Sequence, residues 1–157
     1  MVQFANYKDV SNELKLYIYK AFEKEWGAKN MQEYITNKWI DGHRDNILIV
    51  LFDNIGVFLG TVGLTHRCYC IPVVSHLYIE PSHRNKGYCT ILMAEISKRT
   101  NTQMYYWCAP EKTDHYEAMG WKKNVCVGLA PVCVGLMSIC ITGSRMVSMT
   151  RRGTKYG

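Results

Sequence analysis

At 157 residues, 48% hydrophobic and 20% charged, the chain has the size and balance of one folded domain that buries a sizeable core, which excludes a disordered or low-complexity protein. The formal net charge of +6 is moderate. Its basic residues stand in small separate groups (Arg84 with Lys86, Lys98 with Arg99, Lys122 with Lys123, Arg151 with Arg152), unlike the basic element with interleaved aromatics of a nucleic-acid binder; no nucleic-acid partner is expected, and a small anionic ligand fits the charge.

In chain order, "VQFANY" alternates weakly and reads as a first strand. Val10, Leu14, Tyr17, Ile18 and Ala21 then recur at helical spacing, with Asp9 or Ser11 as the N-cap and Gly27 as the stop. Asn30 followed by Glu33 opens a second helix in the manner of a capping box, with Met31, Tyr34, Ile35, Lys38 and Trp39 on one face and Gly42 at its end. "NILIVLF" and "VFLGTVGLTH" are two strands joined through the hairpin turn Asp53-Asn54-Ile55-Gly56. "PVVSHLYIE" is a further strand, closed by Pro81.

After it comes a basic, glycine-bearing turn, Arg84-Asn85-Lys86-Gly87-Tyr88-Cys89, opening into a helix from Tyr88 to Arg99 whose buried stripe is Tyr88, Ile91, Leu92 and Ile96. A strand that feeds a helix through such a turn leaves several backbone N–H groups pointing the same way at the positive end of the helix dipole, an anion site and above all a phosphate site. "QMYYWC" is the next strand, parallel to the one before the helix because a crossover separates them. A short helix from Thr113 to Met119, a stop at Gly120 and a strand from "WKKNVCV" follow.

From Asn124 to Thr142, "NVCVGLAPVCVGLMSICIT" carries no charge and lies between Lys122, Lys123 and Arg145, the outline of a short membrane span. Gly128, Pro131 and Gly135 interrupt it, and its β-branched and glycine-rich makeup favours two buried strands and a turn, so no membrane partner is expected. Arg151 to Gly157 reads as a loose tail of a single domain, 1–157. Seven cysteines, an odd number, and a start that lacks a basic segment followed by an apolar run imply reduced thiols and a cytoplasmic location. Cys68-x-Cys70 has no second ligand pair at zinc spacing, so no metal is expected. The order β-α-α-β-β-β-α-β-α-β-β describes an α+β domain with a mixed, mostly antiparallel sheet.

The strand "LYIEP", the turn "RNKGYC", the following helix and the downstream "HYEAMGW" and "VSMTRR" together resemble the GNAT superfamily of N-acetyltransferases, with its Arg/Gln-x-x-Gly-x-Gly/Ala loop and "FYEKLGF" element. Cys89 stands where that family has Gly or Ala, a small change that leaves the N–H available. The resemblance implies a GNAT-like central sheet with helices on both faces. It also implies acetyl-CoA as cosubstrate and an amine acceptor, either a small molecule such as a polyamine or a peptide amine; a homodimer stays open.

By the same resemblance, the N–H groups from Asn85 to Thr90 (Asn85, Lys86, Gly87, Tyr88, Cys89 and Thr90) hold the pyrophosphate, with charge added by Arg84 and Lys86. Leu77, Tyr78 and Ile79 offer main chain to the pantetheine arm where two strands splay, and the Ile79 N–H polarises the thioester carbonyl. Tyr116 matches the family's general acid; a phenol of pKa ~10 protonates a thiolate of pKa ~8.5 somewhat uphill, which favours a concerted step or a modestly lowered phenol pKa.

The resemblance also implies a glutamate or histidine base on the strand before the loop or the next one, sometimes acting through water; alternation on the first strand puts Val73, Ser75 and Leu77 on one face and His76, Tyr78 and Glu80 on the other, so Glu80, His76 or a water chain ordered by Ser75 are the candidates. The acceptor region implied by the family spans Phe22, Glu23, Trp26, Tyr34 and residues 128–143, where Glu23 and Glu25 receive a cationic amine or simply form a solvated helix face. Two readings stand against the enzyme: a non-catalytic CoA-binding module, and a protein attached to a membrane through its uncharged C-terminal stretch.

Overall fold

The computed structural model describes residues 1–33, 35, 45–67, 71–123 and 147–155. Its elements are β1 (Val2–Asn6), α1 (Asn12–Trp26), α2 (Met31–Glu33), β2 (Ile47–Asp53), β3 (Phe58–Arg67), β4 (Ile71–Ile79), α3 (Tyr88–Ser97), β5 (Gln103–Cys108), α4 (Thr113–Glu117), β6 (Lys122–Lys123) and β7 (Val147–Arg152). Among the described residues the strands form one sheet ordered β1-β2-β3-β4-β5-β7-β6. Only β4 and β5 run parallel; every other neighbouring pair is antiparallel.

Local chemistry explains most boundaries. Ser11 caps α1, its hydroxyl accepting from the Leu14 N–H at 3.2 Å, and Gly27 ends it at φ +63°. Asp53 builds the β2–β3 turn by accepting from the N–H groups of Ile55 and Val57 at 3.0 and 2.8 Å. α3 stops short of the expected Arg99: the N–H groups of Lys98 and Arg99 reach back only three residues, to Glu95 and Ile96, tightening the last turn.

The sheet is covered on both faces. On β2 the side chains alternate, Leu48 and Val50 packing with Ile18 and Phe22 of α1, Ile49 and Leu51 packing with Leu92, Met93 and Ile96 of α3. Each fully buried aliphatic side chain of this kind stabilises by about 1.5–3 kcal/mol.

Three expectations change. Residues 151–155 are no loose tail: β7 continues to Arg152, and the N–H groups of Gly153, Thr154 and Lys155 bond to the carbonyls of Thr102, Ser97 and Thr100 at 2.8, 2.7 and 3.0 Å. Gly153 lies so close to the Thr100 carbonyl that a Cβ would overlap it. Second, strict alternation on β4 fails. Thr61 pairs with Tyr78 and Gly63 with Ser75, so two residues of β4, His76 and Leu77, stand opposite one of β3, and His76 takes φ +52°. The bulge turns Leu77 to the α3 face with Val74 and Ile79, away from Val73, while His76 and Tyr78 face α1. Third, Asn30 adopts φ +59° before α2, where the Met31 N–H is capped by the Glu23 carboxylate at 3.2 Å.

Tyr34, Lys38, Trp39, Gly42, Cys68, Cys70 and the stretch 124–142 lie outside the described residues. Among the described residues no helix is long and apolar enough to cross a membrane.

Candidate active site

β4 and β5 pair at Val73 with Tyr105 and at no later position, so their C-terminal ends part. A cleft of about 400 Å³ lies there, lined on one side by Leu77, Tyr78 and Ile79 and on the other by Tyr106, Trp107 and Cys108. Its near end is the turn into α3. Asn85 and Gly87 both take left-handed backbone, φ +61° and +85°, which swings the chain into the helix. Gly87 is the N-cap without a side-chain hydrogen bond, and the first intrahelical bond runs from Ile91 to Gly87. The N–H groups of Tyr88, Cys89 and Thr90 therefore have no intrahelical acceptor, and all three residues line the cleft. A Cβ built on Gly87 meets nothing within 4 Å. Open space, aligned donors and the helix dipole together fit a phosphate group.

Nine of the ten residues expected to hold the cofactor line this cleft; Lys86, exposed at the turn, does not. Arg84 lines it but its guanidinium is engaged elsewhere: Nε donates to the Ile79 carbonyl at 2.8 Å, an Nη meets the Glu25 carboxylate at 3.0 Å, and the group lies over the Tyr78 ring at 5.7 Å. It ties the turn to the end of β4 and to α1.

The cleft floor carries an aromatic and thiol cluster. The Tyr116 and Tyr106 hydroxyls are 3.1 Å apart with their rings edge-on, centroids 4.8 Å apart. The Cys89 thiol lines the same cleft as Tyr116. Burial pushes the pKa of Tyr116 far above the usual phenol value, and burial likewise raises Tyr106. Burial raises the Cys89 thiol against the opposing pull of Tyr116 and Lys112, and pushes Cys108 up to about 11. Tyr116 is thus uncharged, and the modestly lowered pKa considered from sequence is not what its surroundings produce.

The two expected bases sit apart from this floor. Glu80 accepts from the Tyr17 hydroxyl at 2.8 Å and from the Tyr78 hydroxyl at 3.0 Å, one on each carboxylate oxygen; the hydrogen bond to Glu80 is the first cause of the raised pKa of Tyr17, and burial is the larger cause for Tyr78. His76 is buried, its Nδ1 3.0 Å from the Ser75 hydroxyl and its ring against Phe22 and Trp26, and it does not line the cleft. Of the expected acceptor residues, Trp26 and Glu25 reach the cleft, Phe22 is core, and Glu23 is spent on the Met31 N–H.

Tyr106, Lys112 and His115 line the cleft without having been singled out from sequence. Alternation in "QMYYWC" does place Met104, Tyr106 and Cys108 on one face, which was the available signal for Tyr106. Among the described residues no group of His, Cys, Asp and Glu could hold a metal ion.

A mixed sheet opened between two parallel strands, with a helix N-terminus at the mouth of the opening, is the architecture of an acyl-CoA-dependent transferase. The acetyltransferase (GNAT) family matches residues 12–121; the chain belongs to that family and is an acyltransferase. No curated protein sequence matches it. Among solved structures, the chain is similar to a spermidine N-acetyltransferase from Vibrio cholerae in complex with CoA and spermine, at 16% identity and TM-score 0.69 over 99% of this chain and 97% of that one. It is similar to an aminoglycoside 6'-N-acetyltransferase complexed with coenzyme A, at 14% identity and TM-score 0.69 over 97% of each chain. Escherichia coli ElaA matches at 14% identity and TM-score 0.62 over 97% of this chain and 99% of that one. At these identities the likeness is one of fold.

Proposed function

We propose that the chain is a single N-acetyltransferase domain that moves an acetyl group from acetyl-CoA to a primary amine by direct transfer in a ternary complex. The observation that carries this reading is the cleft between the parted ends of β4 and β5, with three unbonded helix N–H groups at its mouth and the Tyr116 hydroxyl on its floor. The similar folds that bind CoA with spermine, or act on aminoglycosides, support an amine as acceptor.

When bound, acetyl-CoA supplies the acetyl thioester. The N–H groups of Tyr88, Cys89 and Thr90 hold its pyrophosphate. The main chain of Leu77 and Ile79, on the side of β4 that β5 has left, aligns the pantetheine arm, and the Ile79 N–H polarises the acetyl carbonyl. Tyr116 gives its proton to the departing sulfur in the same step that the carbon–sulfur bond breaks, because a free phenolate in this buried place is costly. Both oxygens of Glu80 are already hydrogen-bonded, so an amine proton reaches that carboxylate by way of the Tyr78 hydroxyl or a water. His76 has no part in this scheme.

The test is thiol release from acetyl-CoA with polyamines, amino acids, aminoglycosides and peptides in turn, followed by Tyr116→Phe on the best acceptor. Loss of the acid lowers kcat by about 10²-fold or more while CoA binding by calorimetry stays unchanged. CoA binding with no thiol release for any amine would establish a CoA-binding module without chemistry instead.

A further inference from the structure

Tyr106 has a hydroxyl in the cleft wall that the scheme above does not use. It stands on β5 in the row Met104, Tyr106, Cys108, its ring packed edge-on against Tyr116 and tilted against Trp121 at 5.9 Å. Its hydroxyl oxygen is 3.1 Å from that of Tyr116, and both residues line the cleft. We infer that Tyr106 is a positioning residue for acetyl transfer: its hydroxyl donates to the Tyr116 oxygen, which aims the Tyr116 proton into the cleft and supports the charge left when that proton departs. The inference rests on the role proposed for Tyr116.

The argument is one of hydrogen-bond direction. Each phenol has one proton to give and lone pairs to receive. If Tyr116 donated to Tyr106, its proton would point into the wall and be unavailable to the sulfur. If Tyr106 donates, the Tyr116 proton is left to the cleft that both residues line. The same bond helps at the moment of transfer. As the carbon–sulfur bond breaks with its electron pair passing to sulfur, Tyr116 releases its proton to that sulfur and its oxygen becomes negative. A buried oxyanion without a donor is costly, and the Tyr106 O–H is already in place. The amine loses one proton to solvent, and Tyr116 regains one before the next turnover, so the balance closes. Donation by Tyr106 also polarises the Tyr116 O–H, making it a stronger donor to a thiolate.

Tyr106→Phe keeps the ring and removes only the hydroxyl. Made in the full chain, it is expected to lower kcat by about tenfold, the loss of one hydrogen bond to a charged group, with KM for acetyl-CoA and the melting temperature unchanged. Made on top of Tyr116→Phe, it is expected to change nothing further, because the residue acts through Tyr116. A readout free of turnover is the ultraviolet thiolate absorbance of bound CoA against pH. Loss of Tyr106 weakens the donor facing the sulfur, so the bound thiol titrates at higher pH in Tyr106→Phe, and no second shift appears in the Tyr116→Phe background. Lys112, His115 and Cys108 also line the cleft and are common to all four proteins compared. An unchanged kcat and titration in Tyr106→Phe, or the same fall in both backgrounds, overturns the inference. Full activity in Tyr116→Phe overturns the acid assignment itself, whereas a slow Tyr116→Phe with a normal Tyr106→Phe removes Tyr106 alone.

Discussion

The two halves of β4 have opposite fates. From Ile71 to Ser75 the strand pairs with β3 residue by residue and, at Val73, with β5 on its other side. From His76 to Ile79 it keeps β3, Thr61 with Tyr78 and Gly60 with Ile79, and loses β5. The bulge at His76 and Leu77 separates the two regimes. One residue in left-handed backbone diverts a strand and increases its twist, and a parallel neighbour that does not share the bulge cannot follow. An open strand edge is ordinarily a liability. Here it faces a cleft beside a helix N-terminus, so the groups that sheet pairing would have consumed are left facing that cleft.

The contrast can be broken at three places, in descending order of effect. Gly60 supports the opened half from behind: a Cβ there would overlap the Tyr78 carbonyl oxygen and crowd Ile79. Gly60→Ala is expected to force β3 off β4 and lower stability by about 1–3 kcal/mol, the usual cost of overpacking, read from urea midpoints, with CoA affinity falling too; an unchanged midpoint would mean that β4 is not held by β3 there. At the bulge itself, a β-branched residue tolerates φ +52° poorly. His76→Val is expected to cost about 1–2 kcal/mol and to weaken CoA binding by calorimetry more than His76→Gly, which suits the backbone. Equal CoA affinity in the two variants would separate the cleft from the bulge.

The smallest effect is a slope. Burial raises the Cys89 thiol in the folded protein, so its contribution is complete below the unfolded thiol pKa of about 8.5 and is lost as pH rises from there through the folded value. Urea midpoints should fall above that pH, and fall less in Cys89→Ala. A midpoint that holds or climbs into the alkaline range would contradict the burial of this thiol.

Much of this was legible in the chain itself because the signals are local. Ser11 and Gly27 bracket α1 by capping chemistry, and Asp53 makes its turn with the N–H groups of residues two and four positions on. "QMYYWC" is a strand from its first residue to its last. The turn from Arg84 to Gly87 was readable because glycine, a preceding strand and helical spacing all fall within a dozen residues. The bulge was not readable: alternation assumes that β4 and β3 advance in step, and nothing in "VVSHLYI" reports the position at which β3 falls behind. Glu80 was one of the base candidates that the family resemblance implied on its strand, yet Tyr17, sixty-three residues earlier, is what occupies one of its oxygens.

The sequence by itself determined most of the described elements, the turn into α3 and the family, since propensity, capping and hydrophobic period act over a few residues. Tertiary structure alone decided which groups meet: Arg84 with Glu25 and the Ile79 carbonyl, Glu80 between two tyrosines, and the hydroxyls of Tyr106 and Tyr116 against one another. Those meetings depend on how a bulged strand and two packed helices bring distant residues together, and hydrogen bonds of about 3 Å are made or lost by shifts that no local pattern records.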